Sequence, residues 1–190
     1  MAAPDPAHLV KGSVFVTVRS WLTDEHGEQG YDDLLGAMTA EHASEVRDPL
    51  PSTWHPEEVH QSMLHALNEV FCDRDPFRYR QAIAALTVLG IHKFARLVLQ
   101  MSSNAFVLRR LPTLWNVIRR GPATTEVEQQ GDLTRIRYGS FPFYGDDLYR
   151  RYTLGVLTGI VRTSAEVDPE VQVVSHGTDR MVVELRLPRR

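Results

Sequence analysis

The 190 residues can enclose one well-packed core but are too few for two ordinary domains, and a composition of 43% hydrophobic and 24% charged residues is that of a globular chain. A net charge of -3 excludes a general affinity for nucleic acid or anionic membrane, and no apolar run reaches the roughly 18 residues of a membrane span. Cys72 is the single cysteine, so no internal disulfide can form, and a cytoplasmic location is expected.

Residues 1–10 hold Pro4 and Pro6 without an apolar signal core and are expected to be a flexible lead-in to one domain over 11–190. Val14, Val18 and Leu22 recur at helical spacing, and Gly27 suits a left-handed helix end. A short helix is expected over 31–38, and Pro49 with Pro51 marks a loop. In Trp54-His55-Pro56-Glu57-Glu58 the proline suits the first helical turn and the acids complement the positive end of the dipole. That helix should run to Val70, burying Val59, Met63, Leu67 and Val70. Asp75-Pro76 repeats the start signal for a central helix whose stripe runs through Tyr79, Ile83, Leu86, Gly90, Phe94, Leu97 and Met101. Ser102-Ser103-Asn104 breaks it, and Pro112 restarts a helix that should bury Leu114, Trp115 and Ile118 before Gly121-Pro122 closes it.

From Ala123 the period changes to two. Thr125 and Val127 alternate with glutamates, Gln130-Gly131-Asp132 turns, and Thr134, Ile136 and Tyr138 alternate with arginines, which predicts a hairpin with one wet face. Gly145-Asp146-Asp147 opens a helix with Tyr149, Tyr152, Val156 and Ile160 on one stripe, and its Gly155 and Gly159 are expected to let it approach the sheet. Val171 and Val173 begin a third strand, and Met181, Val183, Leu185 and Leu187 a fourth. The expected fold is α+β: a helical N-terminal half packed on a C-terminal antiparallel sheet of about four strands, with a crossing helix.

No catalytic constellation emerges, and the chain is read as non-enzymatic. His55, His60 and His65 are five apart, which turns each about 140° from the next on a helix, so no metal is expected. Arg109, Arg110, Arg119 and Arg120 form the densest cationic cluster; it is either a solvated face or a docking patch for an acidic partner. Phe141-Pro142-Phe143-Tyr144 cannot all point inward, and is expected to wall a pocket or a dimer surface.

Lys11-Gly12-Ser13-Val14-Phe15, and Tyr138-Gly139-Ser140 ahead of an aromatic-rich helix with Gly155 and Gly159, resemble motifs of haem nitric-oxide-binding domains. The wider superfamily includes 4-vinyl-reductase-like ligand-binding domains and Golgi-transport tether subunits. A paralogous family of myxobacterial proteins is the most similar, through Trp54 to Pro56 and Trp115, which implies a bacterial protein. The resemblance implies a sensor or tethering fold. Pro142 stands where the resemblance places a propionate-binding arginine, and 94–120 hold no histidine to serve as axial ligand, so no cofactor is expected.

The first expectation is therefore a cytoplasmic regulatory module that binds a small apolar ligand between helices and sheet, lined by Phe94, Leu97, Trp115, Tyr138 and Phe141. The alternative is a protein–protein interaction module with a filled core, most simply a homodimer through an apolar helix face.

Overall fold

The computed structural model describes residues 8–91, 104–165 and 167–187. In chain order the elements are β1 (Leu9–Lys11), α1 (Ser13–His26), α2 (Glu28–Gly36), α3 (Ala40–Val46), β2 (Trp54–Pro56), α4 (Glu57–Val70) and α5 (Pro76–Gly90). They continue with α6 (Asn104–Arg109), α7 (Leu111–Ile118), β3 (Arg119–Arg120), β4 (Thr124–Gln130) and β5 (Leu133–Gly139). A 3-10 turn (Pro142–Gly145), α8 (Asp147–Ala165), β6 (Glu170–His176) and β7 (Met181–Arg186) complete the fold. The α+β class holds, with an antiparallel four-stranded sheet in the order β4-β5-β7-β6.

The hairpin register pairs Val127 with Ile136 and Thr125 with Tyr138, so Thr134, Ile136 and Tyr138 turn inward while Arg137 faces solvent. Met181, Val183 and Leu185 of β7 extend the buried face. A second, small sheet in the order β2-β1-β3 ties the start of the chain to its middle. Val10 is fully buried there, so ordered structure begins before the end of the expected lead-in. Strands of two or three residues carry too little alternation to read from sequence.

Asp75 caps α5 as expected, its Oδ1 accepting from the Phe77 and Arg78 amides at 2.8 and 2.9 Å. The helix stops at Gly90, however, and Ile91 is extended (φ -75°, ψ 111°). Glycine is a poor helix residue and a β-branched residue follows it, a pair that favours termination here. The part of the expected central helix beyond Ile91, Phe94 and Leu97 included, lies outside the described residues.

Gly155 and Gly159 do allow a close approach, but to α5 rather than to the sheet. A Cβ at Gly155 would lie 2.7 Å from Ile83 Cβ, and one at Gly159 would lie 2.7 Å from the Ala84 carbonyl oxygen. These contacts seat α8 on α5 as the central helix pair of the molecule. Pro56 is the N-cap of α4 rather than its first helical residue, and Val70 is exposed. No helix among the described residues is long and apolar enough to cross a membrane.

Candidate functional site

The functional candidates converge where the first turn of α4, the two-residue strand β3 and the first turns of α8 meet. Glu57 and His60 are one turn apart on α4, so their side chains share a face. Tyr149 and Tyr152 share a face of α8 in the same way. β3 turns Arg119 inward and Arg120 outward, because successive strand residues point to opposite sides.

Glu57 and His60 are fully buried and Arg119 is 4% exposed. Arg119 Nε lies 3.3 Å from Glu57 Oε2, and its Nη2 donates to the Tyr149 hydroxyl at 2.9 Å and to Tyr152 at 3.4 Å. The Tyr149 hydroxyl donates onward to Glu57 Oε1. His60 Nδ1 is 2.7 Å from the same oxygen, and since a carboxylate only accepts, Nδ1 carries the proton. Nε2 is left with a lone pair that meets no hydrogen-bond donor among the described residues.

Burial alone would push the Glu57 carboxyl up, but Arg119, His60 and Tyr149 outweigh it and hold it down at about 2. Burial pushes His60 down, against the pull of Glu57, so the imidazole is neutral. Arg119 loses by desolvation and gains more from Glu57 and the two tyrosines, which keep it charged. The cluster thus holds one carboxylate, one guanidinium and a neutral imidazole out of water.

An aromatic wall continues from it. The Arg119 guanidinium stacks 4.5 Å from the Trp115 ring centroid. Trp115 meets Phe141 edge-on at 5.3 Å and Tyr138 at 5.7 Å. Three of the expected pocket residues are therefore brought together. Trp115 is half-buried, whereas Tyr138 and Phe141 are buried. Phe141, Phe143 and Tyr144 at the 3-10 turn all lie inside, contrary to the expectation that they could not all point inward, and Pro142 lies outside.

The arginine cluster divides. Arg109 donates to Gln129, Arg110 lies over the Phe106 ring and Arg120 lies 4.0 Å over Trp54, all three exposed. Arg119 is the exception to the expected surface patch, since its partner Glu57 holds it inside. Sequence reasoning missed Glu57, His60, Tyr149 and Tyr152 as one group. The one signal was Glu57-x-x-His60 at helical spacing.

The other two histidines of the five-residue spacing are engaged separately. His55 bridges Glu45 at 2.9 Å and Thr53 at 2.8 Å, and His65 Nε2 lies 2.7 Å from Asp146 Oδ2.

No protein-family model and no curated protein matches the sequence. Solved structures do match in fold. An H-NOX protein from S. oneidensis in the Fe(II) ligation state, a triple mutant, gives a TM-score of 0.63 at 16% identity, over 94% of this chain and 96% of that one. An oxygen-binding H-NOX domain related to soluble guanylate cyclases gives 0.58 at 15% identity, over 93% and 94%. A structure addressing heme distortion in the H-NOX family gives 0.62 at 16%, over 94% and 95%. The chain has the H-NOX-like fold.

The cluster of Glu57, His60 and Arg119 does not itself fit a haem. His60 Nε2 is the unpartnered imidazole nitrogen of the cluster, but its ring is wedged against Phe15, Tyr149 and Tyr152 at centroid separations of 6.0, 5.8 and 5.0 Å. Those are the spacings of rings in direct contact, with no slot for a porphyrin between them. Arg119, the buried cation of the junction, is already neutralised by Glu57, and Pro142 is exposed and has no donor.

Proposed function

We propose that this chain is a non-enzymatic, cytoplasmic sensor or regulatory module that takes a small apolar ligand between its helical half and its sheet, without haem. The observation that carries the reading is the half-buried Trp115, whose ring faces Tyr138 and Phe141 and is backed by the paired Arg119. Exposed aromatic surface beside a few fixed polar groups suits apolar ligands. Phe94 and Leu97 are proposed to complete the wall. Glu57, His60 Nδ1, Arg119 and Tyr149 are bonded to one another, which supports binding rather than catalysis. The fold likeness to oxygen-binding and Fe(II) H-NOX domains supports a sensing role. A ligand would act by favouring one packing of α4 and β3 against α8 over another.

Thermal-shift screening of the chain against a panel of apolar small molecules tests the reading. Compounds that raise the wild-type midpoint should have no effect on Trp115→Ala. A panel that raises both midpoints equally, or neither, would contradict the site.

A second reading, a protein–protein interaction module with a filled core, is favoured by one observation. Phe106 and Val117 are 47% and 53% exposed on α6 and α7, beside Arg109, Arg110 and Arg120.

A further inference from the structure

Charge is segregated along this chain. Residues 24–75 contain thirteen Asp and Glu against two arginines, whereas residues 76–125 contain eight Lys and Arg and no acid. Among the described residues only two ion pairs join these segments, Arg78–Asp73 and Arg119–Glu57. Most of the opposite charge is therefore left at the surface rather than neutralised within the fold.

The negative pole is the corner of α1 and α2, where Asp24, Glu25, Glu28, Asp32 and Asp33 are all exposed. None of them takes part in an ion pair among the described residues. Asp24 and Glu25 sit in the last turn of α1, where acids oppose the helix dipole, so local stability does not explain them. Apolar area accompanies them: half-buried Trp21 meets His26, which in turn rests on Phe71.

The positive pole is α6 and α7. Arg109, Arg110 and Arg120 bracket the eight-residue α7, a span of about 12 Å at 1.5 Å per residue. None of these three has a carboxylate within ion-pair distance among the described residues, and exposed Val117 and Phe106 lie on the same two helices. The two poles are built from different elements. α2 packs on α1, α3 and α4, whereas α6 and α7 pack on β4 and α8 or β1.

From this complementarity we infer that the α6–α7 face docks the acidic α1–α2 corner of a second copy of this chain. The inference rests on the interaction reading above and is independent of the ligand site. Arginine forks can take Asp and Glu carboxylates bidentately. Phe106 and Val117 meet the apolar side of the corner beside Trp21.

Sedimentation velocity at about 20 mM and about 300 mM salt tests it, because screening at the higher ionic strength shortens the reach of exposed charges. The wild type should self-associate at low salt and at least about tenfold more weakly at high salt. Arg109→Glu/Arg110→Glu/Arg120→Glu and Asp24→Lys/Glu25→Lys/Glu28→Lys carry only surface changes, and each alone should be monomeric. Mixed with unlabelled Asp24→Lys/Glu25→Lys/Glu28→Lys, the labelled arginine variant should form a complex, because its intact acidic corner meets the intact arginine face of the other variant. Mixed instead with wild type, each variant should form a complex through its one intact face.

A wild type that is monomeric at both salt concentrations would overturn the inference. So would association that neither salt nor the substitutions weaken. Binding of a poly-glutamate peptide separates this outcome from the wider reading. A monomeric wild type that binds the peptide through Arg109, Arg110 and Arg120 overturns self-docking but leaves the arginine face a docking surface for another acidic protein.

Discussion

Glu57 and Arg119 are 62 residues apart in sequence and paired out of contact with water. Removing one partner strands the other, so Glu57→Gln should destabilise the chain by about 3–5 kcal/mol in denaturant titration, while Glu57→Gln/Arg119→Met should recover much of the loss. His60 adds a pH dependence whose sign follows from its lowered value. In the unfolded chain the imidazole takes up a proton near about 6.5, whereas in the folded chain it stays neutral below that. Stability is therefore complete above that value and declines as the pH falls toward the folded value. Glu57 adds a second loss between its ordinary 4.5 and about 2. His60→Asn keeps a donor near the Nδ1 position, and its denaturation midpoint should be flatter than the wild type's just below about pH 6.5. Equal slopes would assign the acid sensitivity elsewhere. Beyond the helical spacing of Glu57 and His60, none of this pairing was legible in the sequence. Glu57 read as a helix-dipole partner and Arg119 as one of four surface arginines, because long-range pairing has no local pattern.

Helix starts and the hairpin were legible because capping and alternation are local. Asp75-Pro76 and the Gln130-Gly131-Asp132 turn both sit where their chemistry requires, with Gly131 at φ +61°. Asp75→Ala should cost about 1 kcal/mol, measured as a drop in thermal midpoint. The glycine pair on α8 was legible as a close approach, but its partner was not, since a smooth helix face does not say what it meets. Gly155→Ala tests the partner. Its methyl group would press on Ile83 Cβ at 2.7 Å and on the Arg80 carbonyl oxygen at 3.1 Å. Overpacking of about 1–3 kcal/mol should exceed the gain of about 1 kcal/mol in helix propensity. A stabilised variant would show that α8 and α5 have slack between them.

At the scale of the molecule, a helical half and an antiparallel sheet meet along α8, and the junction carries both a buried polar cluster and an aromatic wall. The class, the sheet and the likeness to haem nitric-oxide-binding domains could be read from periodicity and a few motifs, and the solved H-NOX structures agree in fold. The small β2-β1-β3 sheet could not, although it is what carries Arg119 to Glu57. The proposed role of this junction is to bind a small apolar ligand without haem. Native mass spectrometry of the freshly purified chain, beside its denatured mass, tests it most directly. Extra non-haem mass that is released on denaturation, and is missing from Trp115→Ala, is the expected result. A haem adduct, or a chain that carries nothing and takes up none of the compounds offered to it, would contradict it.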